Sequence, residues 1–477
     1  MKIAAALTLL ILPFSNAQDV YDAVIVGAGL SGLAAARSLS EAGKNFIVLE
    51  ARNRTGGRVH TVPLGNGAYA DLGGTFLGPT QDAVIALVED LGLELFEEYD
   101  TGNNILYHKG EKTLYEAGGP NGAIPPLDEE SLLQVIDTQS ALDEMAAQID
   151  VQNPWNSTKA AEWDASTLAD WLDARELTES ARFFLEAATH SIFSVEPDEQ
   201  SLLFTVTYIA AAGNETEVGT LERLTATTGG AQMWCINGGA ESITSRLAEQ
   251  LGRGKIAFNS PVASITQTKC YLDVTLANGT TVRGAHVIVA MSPPVAALID
   301  YDPPLPAARQ ALQEQMPMGV LGKAIGVYET PFWRADNLTA QVVSDAGLGR
   351  VLYDQSARDA SHGAIMAFLE ADELREYLNA TKEDIMEVAR ADFVNYFGQE
   401  AKDTSEWVVF VWNHEKYSLG GPTAIPGPGV YTKFGPALKD AVGNLHFAGA
   451  EASDYWVGYM DGAVRAGYRA AAEVVGS

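Results

Sequence analysis

Short apolar runs that end in glycine or an acidic residue open the chain and predict a strand, a helix and a second strand. Residues 21–27 form a β-branched apolar run ending in glycine, which is typical of a buried parallel strand. A helix should follow over 31–41, where apolar residues recur at helical spacing and Gly43 provides a stop. Residues 46–50 then form a second buried strand. This order predicts an α/β domain with a parallel sheet.

The hydrophobic pattern changes farther along the chain. From 127 to 188 the sequence is acidic, rich in alanine and leucine, and helical in its periodicity, so it looks like a different module. Strand patterns return after it, and Asn278 with Gly279 is typical of a hairpin turn. The other predicted elements are a helix at 80–98, strands within 256–276 and at 285–290, mixed elements over 320–410, a strand at 445–448 and a C-terminal helix of small residues.

Length and composition limit the classes of protein. A chain of 477 residues is too long for one ordinary core, so we expect two domains or one elaborated α/β unit. The 47% hydrophobic content, with 45 glycines and 20 prolines, excludes fibrous, collagenous and wholly disordered classes. A net charge of −31 would repel nucleic-acid phosphates, so no nucleic-acid partner is expected. The acidic excess either attracts cations or serves solubility, and solubility is the favoured interpretation.

The first residues have the pattern of a secretory signal peptide. Lys2 precedes an apolar run over 3–14, and residues 15–17 resemble a cleavage site. We therefore expect a secreted, extracellular protein that lacks residues 1–17 and has no membrane anchor, because neither end of the chain has the roughly twenty apolar residues of a membrane span. Sequons fit a secreted glycoprotein. Their acceptors are Asn53, Asn156, Asn214, Asn278, Asn337 and Asn379.

The cysteines and histidines exclude several kinds of site. The two cysteines, Cys235 and Cys270, are too few for a disulfide scaffold or a zinc site built mainly from thiolates, and whether they form a bridge is left open. The histidines have no metal-ligand spacing, so no metal site is predicted. No nucleophile-elbow motif surrounds the serines next to His190 and His362, so a hydrolase gains no support.

A glycine motif joins the first predicted strand to the first helix. Gly27, Gly29 and Gly32 have the G-x-G-x-x-G spacing, which permits a tight turn and close approach of a pyrophosphate to a helix N-terminus. Glu50 ends the second strand, where its carboxylate can accept hydrogen bonds from ribose hydroxyls. The combination predicts a dinucleotide-binding site.

The residues after Glu50 contain further motifs that are not part of the sequence fingerprint of a nicotinamide-dinucleotide site. Residues 50–58 contain a Gly-Gly-Arg turn, and residues 71–75 contain a Gly-Gly-Thr segment. Together they resemble the flavin-dependent amine oxidases, in which the first segment contacts the pyrophosphate and the second runs close to the flavin. The resemblance spans nearly the whole mature chain and is nearest to the monoamine oxidase branch. Further segments that carry it are 72–81, 227–230, 301–306, 447–451 and 456–463.

The resemblance implies FAD as cofactor and a Rossmann-like domain, with a parallel sheet and helices on both faces, interleaved with an α+β substrate-binding domain. Asn53 would lie beside the nucleotide, so we expect its sequon to be unused. The implied FAD-binding segments are 18–95, 236–305 and 415–477, and the implied substrate-domain segments are 96–235 and 306–414. The implied cofactor-binding residues are Gly27, Gly29, Leu30, Ser31, Gly32, Glu50, Ala51, Arg52, Gly57, Arg58, Gly73, Gly74, Thr75, Val262, Trp412, Gly449, Glu451, Gly458, Tyr459, Met460 and Ala463.

Two residues are predicted to be catalytic. Lys323 interrupts an apolar strand and matches the family lysine that holds a water at the flavin and assists oxygen reduction; a lysine that snorkels to solvent is the alternative. Tyr459 matches one ring of the family's aromatic cage, whereas Pro422 stands where the second ring is expected. Gly421 stands where some monoamine oxidases have a cysteine bonded to the flavin. We therefore predict non-covalent FAD and an incomplete cage.

The predicted reaction is oxidation of a primary amine to an imine, which hydrolyses to an aldehyde and ammonia, while oxygen is reduced to hydrogen peroxide. L-amino-acid oxidase, polyamine oxidase and a flavin-fold binding protein without turnover are the alternatives. The partners are therefore a small amine and oxygen, and a homodimer is left open. Beside Pro422 and Tyr459, we expect Phe76, Phe193 and Leu224 to line the substrate pocket, with plain core packing as the alternative.

Overall fold

The computed structural model describes residues 20–118 and 125–477. The predicted signal peptide, 1–17, lies outside these residues. Nineteen strands in the described ranges are β1 Val20–Val26, β2 Phe46–Leu49, β3 Thr61–Pro63, β4 Tyr69–Asp71, β5 Leu95–Glu97, β6 Asn103–His108, β7 Glu111–Glu116, β8 Trp234–Ile236, β9 Ile256–Ala257, β10 Val262–Gln267, β11 Leu272–Leu276, β12 Thr281–Ala290, β13 Asp300–Asp302, β14 Leu321–Tyr328, β15 Leu338–Ser344, β16 Gly349–Asp354, β17 Gly363–Glu370, β18 Glu406–Val411 and β19 Leu445–Ala448.

The α-helices alternate with these strands at the ends of the chain and cluster in its middle. The described residues contain fifteen, namely α1 Leu30–Glu41, α2 Asp82–Asp90, α3 Glu129–Ala146, α4 Ala160–Trp163, α5 Leu168–Asp173, α6 Glu179–Phe193, α7 Leu202–Ala211, α8 Leu221–Thr225, α9 Glu241–Leu251, α10 Pro293–Ala296, α11 Ala307–Gln315, α12 Ala371–Arg375, α13 Lys382–Phe397, α14 Tyr431–Phe434 and α15 Met460–Gly476.

The first sheet places the glycine motif at its centre. Its order is β13-β10-β11-β12-β1-β2-β9, with β19 also pairing with β12. Strand β1 runs parallel to both β2 and β12, and β12 runs parallel to β19. Side chains of α1, α2, α9 and α15 cover one face of these parallel strands in a continuous apolar core. The carboxyl ends of the parallel strands therefore meet beside the N-terminus of α1, where α/β proteins bind nucleotides.

The second sheet is mainly antiparallel and carries Lys323. Its order is β18-β14-β17-β16-β15-β6-β7, in which only the β15–β6 pair is parallel within the described strands. Every residue of β14 is buried, because β17 and β18 flank it and α12 and α13 pack nearby. Helices α3 to α8 form a separate apolar cluster with residues near the C-terminus. The α/β fold with a second, α+β substrate-binding part is confirmed.

The strands of the two sheets come from different parts of the chain. The first sheet uses strands within 20–49, 256–302 and 445–448, and the second uses strands within 103–116 and 321–411. The small β5–β8 pair crosses two of the expected domain boundaries, since 95/96 divides β5 and 235/236 divides β8. The domain segments otherwise stay a prediction.

One predicted helix is wrong in length. The pattern over 80–98 predicts a single helix, but α2 ends at Asp90 and β5 follows. Gly92 adopts φ +65°, a conformation that suits glycine after a helix end. Strand β5 then pairs with β8, which is remote in sequence, so tertiary pairing overrides the local pattern.

No helix among the described residues has both the length and the apolar character needed to cross a bilayer.

Candidate functional site

A cavity of about 570 Å³ lies where the two sheets and the helical cluster meet. Its wall combines the turn after β1, the end of β2, strand β14, the end of β17 and the start of α15. Its size is in the range of small-molecule and cofactor sites. Segments that are distant in the sequence therefore converge on one cavity.

The glycine motif shapes one end of this cavity through close backbone contacts. Gly27 has φ +107°, and a Cβ there would lie 2.7 Å from the Ala290 carbonyl oxygen. A Cβ at Gly32 would lie 2.0 Å from the Gly27 carbonyl oxygen. Because larger residues do not fit, these glycines let the backbone approach a ligand at the N-terminus of α1. The geometry fits the pyrophosphate of a dinucleotide.

Glu50 is held at the same end by the backbone. It is buried, and its carboxylate accepts hydrogen bonds from the Ala28 N–H at 2.7 Å and the Arg52 N–H at 2.8 Å. These two hydrogen bonds hold the carboxylate against the glycine turn. Its remaining lone pairs can accept hydrogen bonds from the hydroxyls of a ribose next to a pyrophosphate, as FAD provides.

Most predicted cofactor residues line the cavity. Gly32 instead lies within α1, and Glu451 is buried beyond the wall, where it pairs with Arg58. The predicted residues that line the cavity are Gly27, Gly29, Leu30, Ser31, Glu50, Ala51, Arg52, Gly57, Arg58, Gly73, Gly74, Thr75, Val262, Trp412, Gly449, Gly458, Tyr459, Met460 and Ala463.

Arg58 and Glu451 form a bidentate ion pair behind the cavity. The two guanidinium nitrogens donate to the two carboxylate oxygens at 2.6 and 2.9 Å, and Arg58 also donates to the Pro422 carbonyl oxygen at 2.8 Å. Burial opposes ionisation of Glu451, but the Arg58 guanidinium still holds the pKa of this carboxyl below its usual value. The pair therefore ties the Gly-Gly-Arg turn to the segment carrying Pro422.

Lys323 reaches the wall between the two sheets. It is 2% exposed, and its ammonium donates to the Asp71 carbonyl oxygen at 3.0 Å, the Gly73 carbonyl oxygen at 2.7 Å and the Thr75 hydroxyl at 2.8 Å. The snorkelling alternative is therefore wrong, because the side chain points inward. Burial lowers its pKa to about 8, although nearby Asp71 opposes this effect. The site holds a lysine close to its titration point at neutral pH.

The Tyr459 ring packs against two neighbouring aromatic rings. Neither of them is at the position predicted for the second ring of the cage, which is Pro422. The Tyr459 ring centroid lies 4.9 Å from that of Trp456 and 5.8 Å from that of Tyr208. Pro422 lines the same cavity, and a Cβ at Gly421 would come within 3.1 Å of a Leu321 methyl carbon. Pro422 and Leu321 thus form an apolar wall of the cavity that contains no aromatic ring at position 422.

Two of the predicted pocket residues do not line the cavity. Phe76 does, but Phe193 and Leu224 are buried in the helical core, where Phe193 packs 4.7 Å from Tyr208. Tyr208 contributes the cavity-facing ring instead. An apolar helix presents several equivalent residues in sequence, so its pattern could not indicate which of them faces the ligand.

The sequence interpretation also missed Ser194, Phe368 and Glu370, which line the cavity. Glu370 carried a usable signal, because it is an acidic residue ending an apolar strand, the same kind of irregularity that drew attention to Lys323. Asn53 is exposed and lies outside the cavity lining, next to Arg52, which lines it, and the unused sequon stays a prediction.

The cysteines and one acidic cluster lie outside this site. Cys235 is buried and Cys270 exposed, and both are free thiols. His190, Glu196 and Glu373 bring potential metal ligands together in the described part of the chain, but His190 Nε2 is already 2.9 Å from a Glu196 carboxylate oxygen.

Known proteins that resemble this chain over most of its length are named as flavin-containing amine oxidases. The family model for flavin containing amine oxidoreductase matches residues 30–475. A Mycobacterium tuberculosis protein named as a flavin-containing monoamine oxidase is 37% identical over 96% of this chain and 98% of its own. The flavin-containing amine oxidase B of Sus scrofa is 34% identical over 95% of this chain and 86% of its own.

Solved structures extend the similarity to three dimensions. Cyclohexylamine oxidase from Brevibacterium oxydans superposes with a TM-score of 0.90 at 31% identity and covers 96% of this chain and 99% of its own. Putrescine oxidase bound to putrescine gives a TM-score of 0.88 at 28% identity, over 96% of this chain and 100% of its own.

Proposed function

The chain belongs to the flavin-containing amine oxidoreductases, and from that premise we propose that it oxidises primary alkylamines in the extracellular space. It is an FAD-dependent amine oxidase. The narrower proposal is carried by the pocket wall, which Tyr459 and Pro422 both line, with Pro422 at the place where the family resemblance implies the second ring of the cage. The overall reaction converts amine, water and oxygen into aldehyde, ammonia and hydrogen peroxide.

FAD, when bound, supplies the acceptor for hydride equivalents and the means of reducing oxygen. The chain's own residues bind and orient the reactants. The glycine turn and Glu50 fix the nucleotide end, and Lys323 holds its ammonium in the cavity wall through three oxygen acceptors. Tyr459 and the apolar wall position the amine and exclude water from it.

The substrate preference follows from the shape at Pro422. Proline is shorter than an aromatic ring and presents no π face, so it leaves volume and cannot align a flat arylalkylamine. Apolar contact along an alkyl chain should then add about 0.8 kcal/mol per buried methylene. The name of the structurally similar cyclohexylamine oxidase supports a bulky aliphatic substrate.

The test compares butylamine, hexylamine, octylamine and benzylamine at saturating oxygen. We expect kcat/KM to rise along the alkyl series by up to about fourfold per methylene, with octylamine at least as good as benzylamine. A strong preference for benzylamine without a gain along the series would contradict the proposal and indicate that Tyr208 completes an aromatic cage.

L-amino-acid oxidation is less well supported by the charges at the cavity. An amino-acid substrate needs a cation for its carboxylate, and both arginines that line the described cavity are paired, Arg52 with Glu415 at 3.1 Å and Arg58 with Glu451. The lysines of this lining are Lys323, which donates to three protein oxygens, and Lys416, which lies against the Tyr417 ring next to Glu415, the partner of Arg52. Peroxide release with a panel of amines and L-amino acids separates these activities, and turnover of the amino acids alone would replace the proposed substrate class.

Secretion is proposed from the N-terminal sequence and the exposed sequons. Asn156, Asn278, Asn337 and Asn379 are exposed, so their side chains are accessible to glycosyl transfer. Expression in a eukaryotic host with the full leader should give medium-borne protein whose N-terminus lies near Gln18 and whose mass falls on glycosidase treatment. Retention of the intact leader in cell-associated protein would contradict this.

A further inference from the structure

Glu370 places a carboxyl group on the cavity side of the second sheet. It is the last residue of β17, and the register sets Glu370 opposite Leu321 and Phe368 opposite Lys323 in the neighbouring strand. Residues two apart in a strand share a face. All four line the cavity, so the carboxyl belongs to the same wall as the Lys323 ammonium.

Only one of the two oxygens of the Glu370 carboxyl accepts a hydrogen bond from the described residues. The residue is 6% exposed, and the Ser194 hydroxyl donates to Oε1 at 3.1 Å. Within the described residues, Oε2 accepts no hydrogen bond from the protein. Ser194 has φ +55° and ends α6, so the helix end holds one oxygen and leaves the other for the cavity. Because Glu370 lines the cavity, this second oxygen can accept a hydrogen bond from a ligand donor there.

Glu370 differs from the other buried acidic residues in its place in the cavity wall. In the described cavity lining the acidic side chains are Glu50 and Glu370, and Glu50 lies at the nucleotide end, where two backbone N–H groups hold it and a ribose is its expected ligand. The buried Glu98 also has a donor for only one of its oxygens, but it lies outside the cavity lining and is not offered to a ligand there. Glu370 is therefore the acidic group that the described wall offers to a substrate.

We propose that Glu370 binds a second ammonium group of the substrate, so that the cavity accepts alkyl diamines whose methylene chain lies along the apolar wall containing Leu321 and Phe368. The inference rests on the proposed amine oxidation and narrows its substrate class. The ammonium at the far end of a diamine should increase the binding affinity beyond that provided by the alkyl chain. A monoamine, whose chain ends in a methyl group, leaves the Glu370 carboxyl without a partner.

Protonation of Glu370 provides a signature of this contact. Burial raises its pKa to about 8, with His190, Ser194 and Lys323 opposing the rise and Glu373 adding to it. Tyr353 also faces this carboxyl. The group is thus mainly neutral at pH 7, and an arriving ammonium shifts it to carboxylate with release of its proton.

The kinetic test compares α,ω-diamines of four to eight carbons with the monoamines of equal length. We expect a higher kcat/KM, by about tenfold or more, for the best diamine than for its monoamine. Glu370→Gln should abolish that ratio, which compares two substrates on the same variant and is therefore independent of its overall activity. Glu373→Gln is the matched control, because it removes a neighbouring carboxylate that does not line the cavity; it should retain the ratio.

The binding test needs no turnover. The compound 2,5-dimethylhexane-2,5-diamine has no hydrogen on the carbons that bear nitrogen, so the holoenzyme cannot oxidise it. Calorimetry at pH 7 in two buffers of different ionisation enthalpy should show about one more proton released than with 2,5-dimethylhexan-2-amine. Glu370→Gln should lose this difference.

The outcomes distinguish the two proposals. Oxidation of hexylamine without any diamine preference or extra proton release by the wild-type holoenzyme overturns the role of Glu370 and leaves amine oxidation standing. Absence of turnover with every amine overturns the proposed function, while the calorimetric difference still reports on Glu370. The wild-type measurements decide both questions even if Glu370→Gln does not fold.

Discussion

Lys323 is a buried charge whose direct hydrogen-bond partners are uncharged. Its three hydrogen-bond acceptors are two carbonyl oxygens and one hydroxyl, all from the segment that includes Asp71, Gly73 and Thr75. Carbonyl dipoles orient an ammonium without neutralising it, so a positive charge persists at the cavity wall. This arrangement suits the stabilisation of negative charge that develops as oxygen is reduced.

Replacing Lys323 with methionine keeps most of the stem and removes this charge. We expect Lys323→Met to slow the reaction of the reduced holoenzyme with oxygen by about tenfold or more, with a smaller effect on FAD content. In the wild type the rate should fall as pH rises through about 8, because the ammonium loses its proton there, and the variant should lack this step. Stopped-flow reoxidation that is unchanged in rate and pH profile would show that Lys323 is only structural.

Gly421 stands where the family resemblance implies a cysteine in enzymes with covalently bound flavin. The residue has no side chain that could bond to a flavin, and the space beside it is filled by Leu321. We therefore predict non-covalent FAD. Acid denaturation followed by centrifugation should leave the flavin absorbance in the supernatant, and colour that stays with the pellet would contradict the prediction.

At the scale of elements, the close contact of α1 with α15 supports the nucleotide end of the cavity. A Cβ at Gly467 in α15 would lie 2.2 Å from the Ser31 carbonyl oxygen in α1. Two helices approach this closely only where a residue without a side chain faces the neighbour. The packing fixes α1, whose first turn borders the cavity.

Gly467→Ala should therefore push the two helices apart. We expect a loss of about 1–3 kcal/mol in the free energy of unfolding, together with weaker FAD retention. Gly476→Ala in the same helix is the control, because a Cβ there meets no atom within 4 Å, and it should change stability by less than about 0.5 kcal/mol. Equal stability of the two variants in denaturant titrations would contradict the packing argument.

The elements that the sequence predicts well are those with a strong local signal. The β1, α1 and β2 unit matches its predicted ranges to within a residue or two, because the apolar runs and glycines there are contiguous. The C-terminal end of the 80–98 helix was wrong because β5 pairs with remote β8. The prediction that Phe193 lines the cavity was wrong for a related reason. Long-range packing decides which face of an apolar helix meets a ligand, and Phe193 lies in the helical core.

At the scale of the whole molecule, the cavity joins parts of the chain that no local element connects. Strand β2, the segment with Thr75, strand β14 and helix α15 all contribute to its wall. A ligand that contacts all of them binds the folded state and has no equivalent site in the unfolded chain. FAD should therefore act as a stabilising link among these segments.

This link predicts a melting temperature that depends on FAD concentration. Free FAD at a hundred times its Kd should stabilise the apoprotein by about 2.7 kcal/mol, which for a chain of this length raises Tm by about 3 °C. Riboflavin is the matched ligand control, because it lacks the pyrophosphate and adenosine that the glycine turn and Glu50 are shaped to hold, so the same concentration should shift Tm far less. A thermal series in which FAD and riboflavin shift Tm equally would mean that the nucleotide end contributes little, and a Tm that ignores FAD would place the cofactor outside this cavity.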